Sequence, residues 1–170
     1  MISLKSEQAP ESVWQNPWHF IACGFGAGFF PYAPGTVGTL AAIPLIALLA
    51  KTSLMMYVII CALLFAAGIW LCGKVNRDFK TEDHRAAVFD EFATFPVALI
   101  GIPLHWYWML IAFVLFRFFD IIKPGPIGWV DRHVHGGLGV MSDDLLAALA
   151  TLIVLHVIVG LFGQGWIHVN

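Results

Sequence analysis

Charge is scarce in this sequence: only 12% of its 170 residues are Asp, Glu, Lys or Arg, about half the usual share of a soluble domain. Hydrophobic residues make up 59% and the mean hydropathy is +0.82, more apolar surface than a soluble monomer can hide. Nine Lys and Arg stand against eleven Asp and Glu, for a net charge of -2. With no basic excess to neutralise phosphates in number, extended nucleic-acid binding is not expected. The chain has three cysteines. Cys23, Cys61 and Cys72 form no CxxC pair and lie in apolar surroundings, where a thiol behaves as a small hydrophobe. Composition therefore argues against a disulfide scaffold, as it does against disorder and collagen. The N-terminus carries Lys5, Glu7 and Glu11 ahead of its first apolar residues and lacks a basic region leading into a clean apolar stretch, so no cleaved signal peptide is expected. No internal repeat, low-complexity segment or long linker divides the chain. One membrane-embedded domain over residues 1–170 is the expected organisation.

What the chain has instead is long apolar runs. A spanning helix needs about 20 apolar residues, because the hydrocarbon core is roughly 30 Å thick and a helix rises about 1.5 Å per residue. The run from Leu54 to Gly73 and the run from Leu145 to the end both meet that length without a formal charge. Phe92 to Phe116 is also free of charge, but Gly101, Pro103 and His105 interrupt it midway. Thr36 to Ala50 is shorter and contains Pro44, while Trp18 to Phe30 is broken by Gly24, Gly26 and Gly28 and reads as a re-entrant or interfacial segment. Charge placement decides how residues 87–119 run. Folded as a hairpin, with the N-terminus inside, they leave every Lys and Arg except Lys51 on the cytoplasmic side; a single span would separate Arg117, Lys123 and Arg132 from Lys74 to Arg85. The hairpin is preferred, with Trp106, Tyr107 and Trp108 as an outer interfacial anchor. It also puts all eleven acidic residues on one side. The expected fold is all-α, a polytopic membrane protein of four to five membrane helices with this hairpin and the N-terminal re-entrant or interfacial segment.

Polar chemistry then gathers into residues 24–39, 74–91 and 117–144. The first reads GFGAGFFPYAPGTVGT: either a backbone that approaches an anion closely, or a tight turn in which Thr36 caps the next helix. It is neither a Walker loop nor a dinucleotide fingerprint. The second ends in Asp90-Glu91 at the start of an apolar helix, where paired carboxylates are costly without cations or a metal, unless they merely complement a helix N-terminus. The charges before them, including Glu82 and Asp83, read as a solvated loop. The third, FRFFDIIKPGPIGWVDRHVHGGLGVMSDD, brings carboxylates, cations and imidazoles together beside lipid. Such a set suits Mg²⁺ holding a phosphate; surface salt bridges with an N-cap at the last helix are the plainer alternative. Zinc is disfavoured because His133 and His135 are two apart with no thiolate near them in sequence.

Other phosphatase chemistries fail on spacing. A cysteine phosphatase needs five residues between its thiolate and its arginine, whereas only four lie between Cys72 and Arg77. The DxDx[TV] nucleophile and the Lys-x6-Arg-Pro and Pro-Ser-Gly-His signatures of histidine-type lipid phosphatases are missing.

From Asn16-Pro17-Trp18-His19 through GFGAGFFPYAPGTVGTLAAIP, Asp90-Glu91-Phe92 and the third segment, the chain resembles the phosphatidylglycerophosphatase A family. The resemblance implies a Mg²⁺-dependent enzyme of the bacterial inner membrane, hydrolysing phosphatidylglycerophosphate to phosphatidylglycerol and phosphate with its site on the cytoplasmic side. It points to Gly35, Thr36, Asp90, Glu91, Arg117, Asp120, Lys123, Asp131, Asp143 and Asp144. The chain departs from the family pattern at Thr94, Gly125 and Gly128. The expected roles are metal binding for Asp90, Glu91, Asp120, Asp143 and Asp144, and phosphate binding for Gly35, Thr36, Arg117, Lys123 and Arg132. A metal-bound water is the favoured nucleophile, with a phospho-aspartate or phospho-histidine as alternatives, and His135 or His133 would protonate the departing glycerol oxygen. Lipid substrate and bilayer are the expected partners, the diacyl tails lying between helices or against the bilayer; no protein partner is evident. The rival from another class is a small ion transporter or channel component, in which the carboxylates mark an ion path.

Overall fold

The computed structural model describes residues 11–81 and 84–162, and every regular element among them is helical. Eight α-helices follow in order: α1 (Pro17–Ala22), α2 (Pro34–Ala41), α3 (Ile43–Leu49), α4 (Leu54–Phe79), α5 (Phe89–Thr94), α6 (Trp106–Ile122), α7 (Pro126–His133) and α8 (Gly136–Phe162). Short 3₁₀ turns at Glu11–Trp14, Gly24–Phe29 and Phe95–Leu99 fill the gaps. Lys5, Glu7, Glu82, Asp83 and Asn170 lie outside the described residues.

Two helices, α4 and α8, are long and apolar enough to cross a membrane. At 26 and 27 residues each is roughly 40 Å long, against a hydrocarbon core of about 30 Å. Ser53 starts α4 by accepting the Met56 N–H, and a left-handed Lys80 ends it. The outward face of α8 is an apolar stripe, Leu149, Ile153, Val157 and Leu161, all exposed at helical spacing. Inward, α4 and α8 approach so closely that a Cβ on Gly137 would lie 2.0 Å from the Ile69 carbonyl oxygen and 2.5 Å from the Gly73 nitrogen. Only glycine allows that crossing, which joins the C-terminal end of α4 to the N-terminal end of α8.

The remaining apolar runs break where their prolines and glycines fall. Pro44 lies in the first turn of α3, where its missing N–H costs nothing, so residues 34–49 form two short helices instead of one. Phe92 to Phe116 is likewise split: α5 and the following 3₁₀ turn run one way, residues 100–105 turn, and α6 returns. The return is closed by Arg117, near the end of α6, which pairs with Glu91 of α5. Phe95, Ala98, Ala112, Phe116, Ala148 and Leu155 form the dry centre where these segments meet α8. A second core, around Cys72, Val75, Ala93 and Met141, packs α4 and α5 against α8.

Two expected helix starts differ in the structure. α2 begins at Pro34 after a left-handed Ala33, so Thr36 sits inside the first turn and does not cap it. α8 begins at Gly136, seven residues before Asp143. After a left-handed Gly136, Gly137 and Gly139 are thus inside the helix, the first against α4 and the second against the Val134 carbonyl, and the N-cap reading of the Ser142-Asp143-Asp144 run falls away.

Candidate active site

Four helix segments deliver acidic and basic side chains to one end of the molecule. The start of α5 brings Asp90 and Glu91; the end of α6 brings Arg117, Asp120 and Lys123; α7 brings Asp131; and the second turn of α8 brings Asp143 and Asp144. All of these except Arg117 line one pocket of about 230 Å³, together with Val134, His135, Gly136, Gly139 and Val140.

One carboxylate oxygen from each of Asp90, Glu91 and Asp144 lies within 4.8 Å of the others. Asp90 and Asp144 are buried, at 7% and 4% exposure. Asp90 Oδ1, Glu91 Oε2, Asp143 Oδ1 and Asp144 Oδ2 are enclosed without a hydrogen-bond partner. Buried anionic oxygens that repel one another and accept nothing are costly, so the arrangement calls for a cation. Three carboxylate donors form the hard, all-oxygen set that Mg²⁺ prefers. The residues present therefore fit the expected ion, with Asp120 and Asp143 beside them.

Two cations hold the rim, in different ways. Arg117 Nη1 donates to Asp120 Oδ2 at 2.7 Å and to Glu91 Oε1 at 3.4 Å. It therefore sits behind the carboxylates, away from the pocket lining. Lys123 lines the pocket and donates to both Asp131 and Asp143. Its backbone is left-handed, φ 48°, where α6 stops ahead of Pro124. Burial works against its ammonium, but the two carboxylates outweigh burial and raise its pKa above the ordinary lysine value.

Not every expected residue arrives. Gly35, Thr36 and Arg132 are absent from the lining, and Arg132 is exposed on α7. His133 stacks on Trp129 and donates from Nδ1 to the Trp129 carbonyl at 2.8 Å, whereas His135 lines the pocket. Thr94 donates its hydroxyl to the Asp90 carbonyl at 2.7 Å, so this departure from the family pattern is satisfied within α5. His19 lies outside the expected site residues. It is buried, bonds Asp78 at 2.8 Å through Nε2 and Ser12 at 3.1 Å through Nδ1, and ties the N-terminal segment to the end of α4. The spacing of 59 residues between His19 and Asp78 leaves no local signal for that pair.

A family model described as phosphatidylglycerophosphatase A matches residues 20–159. A protein of Escherichia coli (strain K12) named phosphatidylglycerophosphatase A is 41% identical over 152 residues, covering 89% of this chain and 86% of its own. One of the same name from Haemophilus influenzae is 45% identical over 145 residues, covering 84% and 89%. A third, from Bacteroides thetaiotaomicron and provisionally named a phosphatidylinositol-3-phosphatase, is 41% identical over 145 residues, covering 81% and 90%. No solved structure matches the chain. With the model covering well over half the chain and these relatives aligned along most of their own lengths, the chain belongs to the phosphatidylglycerophosphatase A family.

Proposed function

We propose that the chain hydrolyses phosphatidylglycerophosphate to phosphatidylglycerol and phosphate at a Mg²⁺-dependent site on the cytoplasmic face of a bacterial inner membrane. The observation that carries the metal and the site is the trio Asp90, Glu91 and Asp144, oxygen-only, each with a buried unpartnered oxygen, beside Lys123 in one pocket. The names of the relatives from E. coli and H. influenzae support the substrate. An ion path would need carboxylates at several depths. Here the pocket carboxylates lie together at one end of the long helices.

Asp90, Glu91 and Asp144 would hold the ion, flanked by Asp120 and Asp143. When bound, Mg²⁺ supplies positive charge to the phosphoryl oxygens and makes water more acidic. Lys123 binds the remaining phosphate oxygens and opposes the charge of an in-line displacement. Arg117 acts one step removed, holding Glu91 and Asp120 in place. His135, in the pocket wall, is the candidate to protonate the departing glycerol oxygen.

Phosphate release by purified protein in detergent is expected to need Mg²⁺, to stop with EDTA and to return when Mg²⁺ is restored. Thiol alkylation should leave it intact. All three cysteines are buried, and burial pushes the Cys23 thiol up to about 11. Full turnover in chelator would remove the metal, and a Cys23→Ser variant that folds but is inactive would implicate the thiol. Offering phosphatidylinositol 3-phosphate in parallel tests the head group: faster release from it would overturn the substrate.

The membrane disposition we infer has α4 and α8 spanning. Residues 89–99 with α6 form a hairpin, α2–α3 are a shorter embedded pair, and α1 with the Gly24–Phe29 turn lies at the interface as one end of a single membrane-embedded domain. α6, with 17 residues, reaches roughly 26 Å, enough for a returning arm. Its exposed Leu110, Val114 and Phe118 support a lipid-facing side. Cysteines introduced at Lys80 and Leu138 should be labelled from the cytoplasm, and one at Lys51 from outside. Labelling of 80 and 138 from opposite sides would break the hairpin and the site with it.

A further inference from the structure

We infer that Gly35 is a positioning residue for Glu91, and that the glycine-rich segment is a cradle for residues 85–91 and not a phosphate loop. The inference rests on Glu91 being a cation ligand. Gly35 is buried in the first turn of α2, and a Cβ there would stand 1.9 Å from Glu91 Oε1, 3.0 Å from its Cδ and 3.3 Å from Arg117 Nη1. An ordinary carbon–oxygen contact is well above 3 Å, so any side chain at position 35 must push the Glu91 carboxylate away by more than an ångström. Its backbone is helical, a conformation in which alanine is the better residue, so propensity does not explain the glycine. The missing side chain does: it leaves the space that Glu91 Oε1 fills.

The neighbouring contacts make the same fit along the whole segment. A Cβ on Gly28 would lie 1.9 Å from the Ala86 carbonyl oxygen, and one on Gly38 would lie 2.7 Å from Val88 Cβ. Val88 N donates to the Ala22 carbonyl at 2.9 Å, and Arg85 Nη2 donates to the Pro31 carbonyl at 3.1 Å. Residues 22–38 thus clasp the strand of chain that leads into Asp90-Glu91. Neither Gly35 nor Thr36 lines the pocket, which leaves the phosphate to Lys123. Gly35 sets where Glu91 Oε1 stands, and Arg117 holds it there from the other side.

The test is Gly35→Ala in the full-length protein in detergent, alone and combined with Glu91→Ala. Mn²⁺ binding, followed by its paramagnetic resonance signal, should weaken at least about tenfold in Gly35→Ala. The Mg²⁺ concentration for half-maximal turnover should rise in parallel, while KM for lipid at saturating Mg²⁺ stays within about twofold of wild type. A phosphate-binding Gly35 would do the reverse, raising KM and leaving Mn²⁺ binding unchanged; that result overturns the inference. Thermal unfolding of the apo protein provides a readout free of metal and turnover. Gly35→Ala should lower Tm in the wild-type background and leave it unchanged or raised in the Glu91→Ala background, where the obstructing carboxylate is gone. Equal losses in both backgrounds overturn the inference, and so does a double variant that fails to fold when Glu91→Ala folds. If wild type binds no Mn²⁺, the metal reading has failed, and the unfolding comparison still decides whether Gly35 makes room for Glu91.

Discussion

Asp90→Asn and Asp144→Asn are expected to lower turnover by about a hundredfold to a thousandfold, the usual cost of removing one electrostatic contact that acts in the transition state. Excess Mg²⁺ should recover part of the loss, because each amide keeps an oxygen donor but not its charge. The same variants should make the metal-free protein more stable. The three carboxylates crowd within 4.8 Å of one another in a buried site, so neutralising one relieves the apo fold and should raise Tm. Opposite signs for activity and apo stability mark a ligand set, since a structural carboxylate would lose both. Lys51→Gln, on an exposed turn away from the pocket, is the control and should match wild type. Near-normal turnover in both site variants would leave the trio without a catalytic role.

Lys123→Gln is expected to reduce kcat/KM by roughly a hundredfold and to abolish inhibition by inorganic phosphate, with Lys123→Arg restoring part of each. The neutral side chain cannot pair with phosphate, and it strands Asp143, whose side chain is only 8% exposed. Loss of Tm without loss of phosphate inhibition would mean that Lys123 only supports Asp143. The pH dependence follows from the raised pKa of Lys123. A cation raised above its unfolded value contributes its full stabilisation below the ordinary lysine range and loses it only as pH climbs through the folded value. Between pH 5 and 9 the Lys123 ammonium should therefore contribute no slope to unfolding free energy. Steps in the rate profile over that window belong to groups other than Lys123.

The sequence by itself determined the helical class and the two longest membrane-length helices, because an uninterrupted apolar run of about 20 residues has few other stable forms. It also located the break near Gly101 and Pro103, since both residues act locally on the backbone. The motif that carried the family resemblance lay in order along the chain, and the family was legible from it. Tertiary structure alone decided which of these residues share a pocket. Asp90 and Asp144 are 54 positions apart, and only the packing of α5 on α8 brings their oxygens within 4.8 Å. The start of α8 was hidden because Gly136, Gly137 and Gly139 are poor helix formers, and only the fold shows Gly137 at a close crossing with α4 and Gly139 against the Val134 carbonyl. Arg117 and Lys123 look alike in sequence, two cations at the end of one helix, yet Asp120 and Glu91 take the first and the pocket receives the second. The glycine-rich segment read equally well as an anion loop or a turn. Its purpose depended on residues 85–91 lying against it from distant positions in the chain, where the absence of a side chain at Gly35 leaves room for the carboxylate of Glu91.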